Sequence, residues 1–296
     1  ICASGTLGQI IPPSLVLILL ADILGESVGT LFAAAMVPGL LLAGFYALYM
    51  IAVGYFDPLS APPIPKAERM AMSKGELASK TLKVVLPPLL LIVAVLGSII
   101  GGVAAPTEAA SMGALGSILV VAIAGRLTRK VLTDTVQNTL KISAMVFFIL
   151  ICAQAFSLTF RGLNGEDLVK DMFKLVPGGT TGAIVFMLAL LFLLGFFLEW
   201  IEICYIVMPL FLPVLKGTDV DYVWLAVLVC LNLQTSFLTP PFGWALFYLR
   251  SVAPPEVPTI AIYKGVVPYI GLQMIALVLV FMYPSIATWL PRAIGW

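Results

Sequence analysis

The sequence predicts an all-α polytopic membrane protein, and its composition and apolar runs carry this prediction. Of the 296 residues, 61% are hydrophobic and 10% are charged, and the mean hydropathy is +1.11. Soluble domains carry about 25% charged residues, so a soluble fold would leave too much apolar surface in water. Several apolar runs are long enough to cross a hydrocarbon core about 30 Å thick. The net charge of +1 gives no strong attraction to nucleic acid.

The chain lacks the residues that most enzymes and metal sites use. It contains no histidine, which removes the commonest general base and metal ligand. The cysteines lie in apolar segments without a CxxC spacing, so we expect small buried side chains at Cys2, Cys152, Cys204 and Cys230. We therefore expect a protein that is not an enzyme and has no cofactor. The chain begins at Ile1 without a methionine or a signal-peptide pattern, and we interpret it as a portion of a longer protein.

Charge between the apolar segments predicts their orientation. The segments lie at 1–20, 28–56, 84–101, 107–124, 142–160, 183–215, 222–252 and 265–290. Lysine and arginine near span ends mark the cytoplasmic side. This places two basic loops inside, 57–83 with Lys66, Arg69, Lys74, Lys80 and Lys83, and 125–141 with Arg126, Arg129, Lys130 and Lys141. The turn before 28–56 contains Asp22 and Glu26 but no lysine or arginine, as an outer turn should.

The segment 183–215 predicts a re-entrant hairpin. It is too long for one span, and the sequence F-L-E-W-I-E interrupts it at 197–202. Each flanking arm is shorter than the roughly 20 residues that a full crossing requires. We therefore expect both arms to enter and leave on the outer face. The segment 222–252 then crosses inward and 265–290 crosses back.

The apolar segments 1–20 and 222–252 contain adjacent prolines, Pro12 with Pro13 and Pro240 with Pro241. Proline lacks an N–H and clashes with the carbonyl one turn back, so each pair predicts a broken helix. Backbone freed in this way must be buried in protein or line a cavity, because lipid cannot satisfy it. Kinks that serve only packing are the alternative. Matched breaks in two halves of a chain instead favour the central binding site of a secondary transporter.

Small and hydroxyl residues surround both breaks. They are Ser4, Gly5, Thr6, Gly8 and Ser14 at the first, and Thr235, Ser236, Thr239 and Gly243 at the second. Glycine allows close approach to the backbone, and hydroxyls and freed carbonyls are hard oxygen ligands that suit Na⁺. Nearby N-termini of the half-helices would favour an anion.

Several polar residues have two interpretations. Glu199 and Glu202 at the hairpin tip either act in function or are stabilised by helix N-termini and solvent, and their spacing leaves proton coupling open. Glu108 follows Pro106 and Thr107 and predicts a helix start. Asn232 and Gln234 line the site or bond between helices. Arg161 and Arg250 have the chemistry of carboxylate clamps, but their positions at span ends favour interfacial anchors.

Four motifs in order resemble one protein family. They are G-T-L-G-Q-I-I-P-P-S at 5–14, G-V-A-A-P-T-E-A-A at 102–110, G-F-F-L-E at 195–199 and L-N-L-Q-T-S-F-L-T-P-P-F-G at 231–243. The set resembles the large membrane (M) subunit of tripartite ATP-independent periplasmic (TRAP) transporters, part of the ion transporter superfamily. The resemblance covers the whole chain, which would correspond to the C-terminal two thirds of that subunit.

This resemblance implies an inverted-repeat, elevator-type transporter of the bacterial inner membrane. It implies Na⁺-driven symport of an organic acid such as a dicarboxylate, a small membrane subunit as partner, and a periplasmic substrate-binding protein. The implied elements are a first discontinuous helix at 1–20, membrane helices with the two basic loops at 21–182, the hairpin at 183–215, a second discontinuous helix at 216–252 and a C-terminal helix at 253–296.

The resemblance and the breaks together define the expected site. The expected ion-binding residues are Gly5, Thr6, Gly8, Pro12, Ser14, Gly195, Thr235, Ser236, Thr239 and Gly243, with Na⁺ as the only metal. The expected substrate-binding residues are Glu199, Asn232, Gln234 and Pro240. Two departures from the family are the lack of a first hairpin before Ile1, without which this chain alone should not transport, and an unusually long 57–83 loop.

Three alternatives remain at this point. The nearest is a binding-protein-independent secondary transporter of similar inverted-repeat architecture, coupled to protons or Na⁺. A membrane-embedded enzyme would need a nucleophile with a base or a set of metal ligands, which the residues do not supply. A non-catalytic scaffold would leave the matched breaks unexplained.

Overall fold

A computed structural model describes residues 1–59, 61, 62, 65, 73–215, 218–241, 243–254 and 256–296. Within these ranges the chain forms helices joined by turns and bends, without a β-strand, which confirms the all-α prediction. Five of these helices are long and apolar enough to cross a membrane. Lys66 and Arg69 of the predicted basic loop, and Phe242 of the second proline motif, lie outside the described residues.

The helices follow the predicted apolar segments. In chain order they are α1 Cys2–Thr6, α2 Leu15–Leu24, α3 Val28–Phe56, α4 Lys74–Ile100, α5 Pro106–Ile123, α6 Arg129–Gly162, α7 Gly165–Leu175, α8 Gly179–Leu194, α9 Trp200–Leu215, α10 Tyr222–Leu238, α11 Trp244–Val252, α12 Thr259–Met282 and α13 Ser285–Ala293. A 3₁₀ turn at Leu7–Gln9 follows α1, and α9 contains a π-helical turn at Ile203–Val207.

The chain forms two compact units. The first comprises Ile1–Gly44 and Lys141–Trp296, and the second comprises Phe45–Leu140. The first unit therefore contains both proline breaks and the helical hairpin of α8 and α9. The core of this unit is α10, in which every residue from Leu225 to Ser236 is buried. A helix buried on every side is packed against protein rather than lipid.

In the second unit, α4 and α5 form an antiparallel pair through two glycines. A Cβ atom added to Gly116 would lie 2.4 Å from Leu91 Cδ1, and one added to Gly113 would lie 3.2 Å from Val95 Cγ2. Small residues thus let the two helices approach closely. This antiparallel register brings the basic start of α4 and the basic residues after α5 to the same end, in agreement with the prediction that both basic segments share one side.

Glu108 starts α5, as its position after proline predicts. Its Oε2 accepts a hydrogen bond from the backbone N–H of Ala105 at 2.9 Å. This bond satisfies an N–H just ahead of the helix, and the acidic side chain lies in the first turn, where the helix dipole favours it. The helix-opening interpretation of Glu108 is therefore confirmed.

Asp221 joins three elements at one end of the first unit. Its Oδ1 accepts hydrogen bonds from the N–H groups of Val223 and Trp224 at 3.0 and 3.1 Å and so caps α10. Its Oδ2 lies 3.4 Å from Arg292 Nη2 at the end of α13. Partial burial, and to a lesser extent the Asp221 carboxylate, raise the pKa of Glu26 in the turn before α3. These three helix ends are the ones predicted to lie on the outer side.

We expect Asp221→Ala to lower the free energy of unfolding by about 1 kcal/mol, because α10 loses its N-cap. Asp221→Asn is the matched control, since it keeps a capping oxygen and removes only the charge. A raised pKa means that folded Glu26 holds its proton more tightly than the unfolded chain does. Stability therefore falls as pH rises from the ordinary glutamate pKa through the raised one. In Asp221→Asn this fall should be smaller, and thermal unfolding across pH 4 to 7 (roughly the window that glutamate shifts cover) measures it.

The helix α7 lies between the apolar segments 142–160 and 183–215, where the apolar pattern predicts no membrane helix. Its charged residues alternate with apolar ones at helical spacing, and Val169 and Phe173 are buried. The Phe173 ring lies 5.5 Å from that of Phe211 on α9 and 5.6 Å from that of Phe186 on α8. An aromatic contact with the hairpin therefore stabilises this amphipathic helix.

Other boundaries differ for identifiable reasons. The helix α6 begins at Arg129, so most of the segment predicted as the 125–141 loop is helical. The last segment is divided because Pro284 forces Tyr283 out of the helical region, where φ is −124° and ψ is 78°. Cys2, Cys204 and Cys230 are buried as predicted, but the prediction is wrong for Cys152, which is exposed on α6. Apolar residues of a membrane protein also face lipid, and burial in protein does not follow from an apolar segment.

Candidate functional site

The first break separates α1 from α2. The 3₁₀ turn ends at Gln9, and a cis peptide bond joins Pro12 to Pro13. Ser14 then caps α2, because its Oγ accepts a hydrogen bond from the Leu17 N–H at 3.3 Å. The same hydroxyl donates to the carbonyl oxygen of Gln9. One buried serine thus links the ends of both half-helices.

The second break separates α10 from α11 in a similar way. The helix α10 ends because Thr239 has an extended backbone, and a cis bond joins Pro240 to Pro241. The Thr239 Oγ1 donates to the carbonyl oxygen of Thr235 at 2.7 Å. Tyr263 of α12 donates from its hydroxyl to the Pro241 carbonyl at 3.1 Å. Protein groups, and not lipid, therefore satisfy part of the freed backbone, as breaks at membrane depth require.

The two broken helices touch each other through two thiols. Cys2 Sγ on α1 donates to the carbonyl oxygen of Ala245 on α11 at 3.3 Å. Cys230 Sγ on α10 donates to the carbonyl oxygen of Gln9 at 3.1 Å. The fold thus brings together the segments that the two Pro-Pro motifs predicted as halves of one site.

The hairpin tip packs directly on the second broken helix. The helix α8 ends at Leu194, and a Cβ atom added to Gly195 would lie 2.2 Å from Ser236 Oγ and 2.8 Å from its Cβ. Only glycine permits this approach. The backbone of Gly195 is in the ordinary helical region, with φ −63° and ψ −9°, so the requirement is for space and not for an unusual conformation.

The carboxylates of the tip open α9. Glu202 Oε2 accepts a hydrogen bond from the Glu199 N–H at 3.1 Å, so Glu202 satisfies backbone at the start of the helix. Both side chains are half-buried. This geometry assigns Glu202 the stabilising interpretation. The role of Glu199 in substrate binding stays a prediction.

Two amides on α10 differ in their surroundings. Asn232 Nδ2 donates to the Leu188 carbonyl on α8 at 2.9 Å, which joins α10 to the hairpin. Gln234 is 0% exposed, and neither its Oε1 nor its Nε2 has a hydrogen-bond partner among the described residues. A buried amide without partners costs about 1–3 kcal/mol, so this one is a candidate for binding a ligand. Asn232 takes the helix-bridging interpretation.

Hydroxyl groups near the breaks retain acceptor capacity. Thr235 and Ser236 donate to the carbonyls of Leu231 and Leu233 at 2.8 Å, and both threonine and serine are 0% exposed. A hydroxyl that donates one hydrogen bond still has lone pairs. At the first break, Thr6 and Ser14 are 4% and 1% exposed. These oxygens are the type of ligand that a hard monovalent cation accepts.

The remaining predicted residues surround these groups. Pro12 and Gly243 are buried and Pro240 is half-buried, whereas Gly5 and Gly8 are exposed with no atom within 4 Å of an added Cβ. Their ligand roles stay predictions. Arg250 is exposed and donates to the Val257 carbonyl at 2.7 Å, and Arg161 is exposed in the last turn of α6. These positions fit the interfacial interpretation of both arginines.

Sequence reasoning missed two cavities beside the breaks. One has a volume of about 530 Å³ between α1 and α11, and Gly5, Thr6, Gln9 and Phe237 contribute to its wall. The other has a volume of about 620 Å³ between the hairpin tip and α11, and is lined by Phe196, Phe197, Trp244, Phe247, Tyr248 and Ser251. The signal for the second was present, since aromatic residues follow the tip glycine and recur with helical spacing after Gly243.

Comparison with known proteins identifies the family. Residues 1–286 match the family described as tripartite ATP-independent periplasmic transporter, DctM component. The chain is 30% identical to the sialic acid TRAP transporter permease protein SiaT of Haemophilus influenzae, over 98% of this chain and 46% of that protein. It is 29% identical to the ectoine TRAP transporter large permease protein TeaC of Halomonas elongata, over 97% of this chain and 65% of that protein. It is 30% identical to the C4-dicarboxylate TRAP transporter large permease protein DctM of Pseudomonas aeruginosa, over 100% of this chain and 67% of that protein.

The chain thus spans about half to two thirds of the length of these relatives. The match extends across both proline breaks and the hairpin, so it includes every element of the site described above. The four motifs and the family match agree, and this chain belongs to the DctM component family of tripartite ATP-independent periplasmic transporters.

Proposed function

We propose that the chain is part of the large membrane subunit of a Na⁺-coupled secondary transporter that imports an organic acid. A periplasmic binding protein delivers the acid, and a small membrane subunit completes the transporter in the bacterial inner membrane. The observation that carries the proposal is the contact of two proline-broken helices with a hairpin tip in one compact unit. The relatives are transport permeases, which points to transport rather than catalysis.

In this proposal the breaks bind the coupling ion. Thr235, Ser236 and Thr239 supply hydroxyl oxygens at the second break, and freed backbone carbonyls supply the rest. Residues of α10 and of the hairpin coordinate the same ion, so bound Na⁺ stabilises the contact between the hairpin tip and α10. Substrate then binds next to this tip, near Glu199, Gln234 and Pro240. The first broken helix contributes a second set of oxygens from Thr6 and Ser14.

Movement of the hairpin and broken helices as one body would give elevator-type access to both sides. The hairpin tip and α10 contact each other without space for a methyl group, which favours joint movement. Close-packed elements have low compressibility, so a displacement of the hairpin tip is transmitted to α10.

We expect Thr239→Val and Ser236→Ala, in the complete transporter, to weaken the activation of uptake by Na⁺. The amount of transporter in the membrane should change less than this activation does. Each change removes a hydroxyl oxygen and keeps a similar volume. The measurement is the Na⁺ concentration for half-maximal uptake, and Thr159→Val is the matched control because the Thr159 hydroxyl bonds within exposed α6. Unchanged Na⁺ activation in both variants would contradict the ion site at the second break.

The test of the proposed function is uptake in proteoliposomes with the full-length subunit and its encoded neighbours. An inward Na⁺ gradient and then a proton gradient are imposed, each with and without the binding protein. Uptake that needs both Na⁺ and the binding protein is the expected result. Uptake driven by protons without the binding protein would overturn it and favour the second candidate, a proton-coupled transporter that uses the paired carboxylates Glu199 and Glu202. The observation behind that candidate is that both acids are half-buried at the tip.

A further inference from the structure

A cluster of exposed cations lies at one end of the second compact unit. It comprises Lys80 and Lys83 on α4, Arg126 after α5, and Arg129 and Lys130 at the start of α6. The stretches 76–83 and 126–134 also contain two carboxylates, Glu76 and Asp134, which leaves a net charge of +3. All these residues belong to the second unit.

The contact between α4 and α5 brings the cations of both helices to the same level. Leu91 of α4 lies against Gly116 of α5, and the two helices are antiparallel. Lys83, eight residues before Leu91, is therefore level with residue 124, and Lys80 with residue 127, on either side of Arg126. Lys80 precedes Leu91 by about three helical turns, so it lies on the side of α4 that faces α5.

The backbone holds the remaining cations close to this level. Gly125 has a φ of +68° where α5 ends, and the Arg126 N–H donates to the Val121 carbonyl at 3.1 Å. Thr128 then caps α6, because its Oγ1 accepts a hydrogen bond from the Val131 N–H at 3.1 Å. The turn between the two helices is short, so the cations on both sides of it are neighbours.

Two of the cations lie where their own helix disfavours them. Arg129 and Lys130 occupy the first turn of α6, which contains no acidic residue, although the helix dipole favours acids there. Both side chains are exposed, so packing does not compensate. Within the cluster, Lys80 Nζ lies 3.5 Å from Glu76 Oε1, but an exposed ion pair of this kind contributes little. An external anion would relieve the mutual repulsion of the cations.

Apolar surface beside the cluster indicates the kind of anion. On the membrane side of the cations, α4 exposes Val84 and Leu90, at 72% and 57%, and α5 exposes Leu119 and Ile123, at 60% and 78%. Both helices are apolar enough to span a membrane. A phospholipid matches both surfaces, because its phosphate meets the cations while its acyl chains cover the apolar side chains. Clusters of four to eight basic residues next to a membrane helix are typical of such sites.

We propose that the five cations bind an anionic phospholipid, such as phosphatidylglycerol or cardiolipin, in the leaflet on the side predicted to be cytoplasmic. Its phosphate lies among the basic side chains, and its acyl chains lie along the exposed faces of α4 and α5. None of these residues belongs to the proline breaks or the hairpin tip. The inference therefore goes beyond the proposed transport function and does not depend on it.

The test uses the membrane complex of the full-length large subunit with its encoded small subunit, in detergent at low salt. Phosphatidylglycerol, cardiolipin and phosphatidylethanolamine with the same acyl chains are each titrated, and inorganic phosphate serves as the soluble anion. Native mass spectrometry measures the bound lipid. We expect both anionic lipids to bind at concentrations about tenfold lower than phosphatidylethanolamine, since each cation near the membrane surface contributes about fivefold. This preference should shrink at about 0.3 M NaCl, because salt screens exposed charges.

Variants locate the site. Lys83→Gln combined with Arg126→Gln should weaken phosphatidylglycerol binding by about tenfold to thirtyfold, at about fivefold for each charge removed. The exchange of Lys83→Arg with Arg126→Lys is the matched control, because it keeps both charges and the composition, and it should bind like the unaltered complex. Lys264→Gln removes an exposed cation near the start of α12 and should leave binding unchanged. Gel filtration identifies any variant that fails to assemble.

The lipid comparison on the unaltered complex needs no variant. Equal binding of phosphatidylethanolamine and phosphatidylglycerol, or a preference that the double glutamine variant retains, would overturn the site. Inorganic phosphate that displaces the lipid at equal concentration would also overturn it, because the cluster would then bind a soluble anion. If the anionic lipids bind as expected but Na⁺ drives no uptake, the lipid site stands and the transport proposal fails separately.

Discussion

Replacing Gly195 with alanine is expected to abolish most Na⁺-driven uptake while leaving the protein in the membrane. The added methyl would lie 2.2 Å from Ser236 Oγ, so the hairpin tip must move away from α10. Overpacking of this kind costs about 1–3 kcal/mol, and we expect uptake to fall about tenfold or more. The backbone of Gly195 is helical, which alanine adopts without strain.

Gly271→Ala is the control for this prediction. Gly271 lies in α12, and an added Cβ there meets no atom within 4 Å. A double-mutant cycle with Ser236→Gly tests the cause directly. In the Ser236→Gly background, Gly195→Ala should have little further effect, because both Ser236 atoms that it would meet are gone and only the Leu191 carbonyl oxygen, at 3.3 Å, remains close. An undiminished effect in that background would show that the contact with Ser236 is not the reason.

Replacing Gln234 with leucine is expected to change stability and transport in opposite directions. The side chain is fully buried and its amide has no partner among the described residues, so leucine of similar size removes an unsatisfied polar group. The free energy of unfolding should rise by about 1–3 kcal/mol. Uptake should be lost, because the amide is expected to serve the substrate. Thermal unfolding and proteoliposome uptake measure the two effects.

Asn232→Leu is the matched comparison on the same helix. Its amide donates to the Leu188 carbonyl, so leucine leaves that buried carbonyl without its donor and should lower stability. A Gln234→Leu variant that transports normally would contradict the substrate role. One that is destabilised like Asn232→Leu would instead indicate that Gln234 has a structural partner.

Proline pairs alone do not predict a broken helix, and α4 shows why. It contains Pro87 and Pro88 yet continues from Lys74 to Ile100. The residues around this pair are valine and leucine, whereas glycine, serine and threonine surround the pairs at 12–13 and 240–241. The latter residues accept non-helical backbone and bond to it, as Ser14 and Thr239 do. The combination of proline with small polar residues was therefore the informative signal.

Membrane segments could be predicted because each segment that lies in lipid must itself be apolar, whatever its contacts with distant parts of the chain. Two short arms around Phe197 and Glu202 predict the hairpin in this way, and the basic residues predict the orientation. The partners within the site could not be found, because they depend on packing between distant segments. Nothing in the sequence indicates that Asn232 bonds to Leu188 while Gln234, two residues later, stays unpaired. The contact of Gly195 with Ser236 is of the same kind.

The two thiols between the broken helices provide natural reporters of motion. Cys2 and Cys230 each close a bond across the boundary, and both are shielded, whereas Cys152 is open on α6. A thiol reagent should thus modify Cys2 and Cys230 only when the broken helices part. The rate at which Cys230 becomes alkylated, with Na⁺ present or absent, would therefore measure the opening of this boundary without an engineered label.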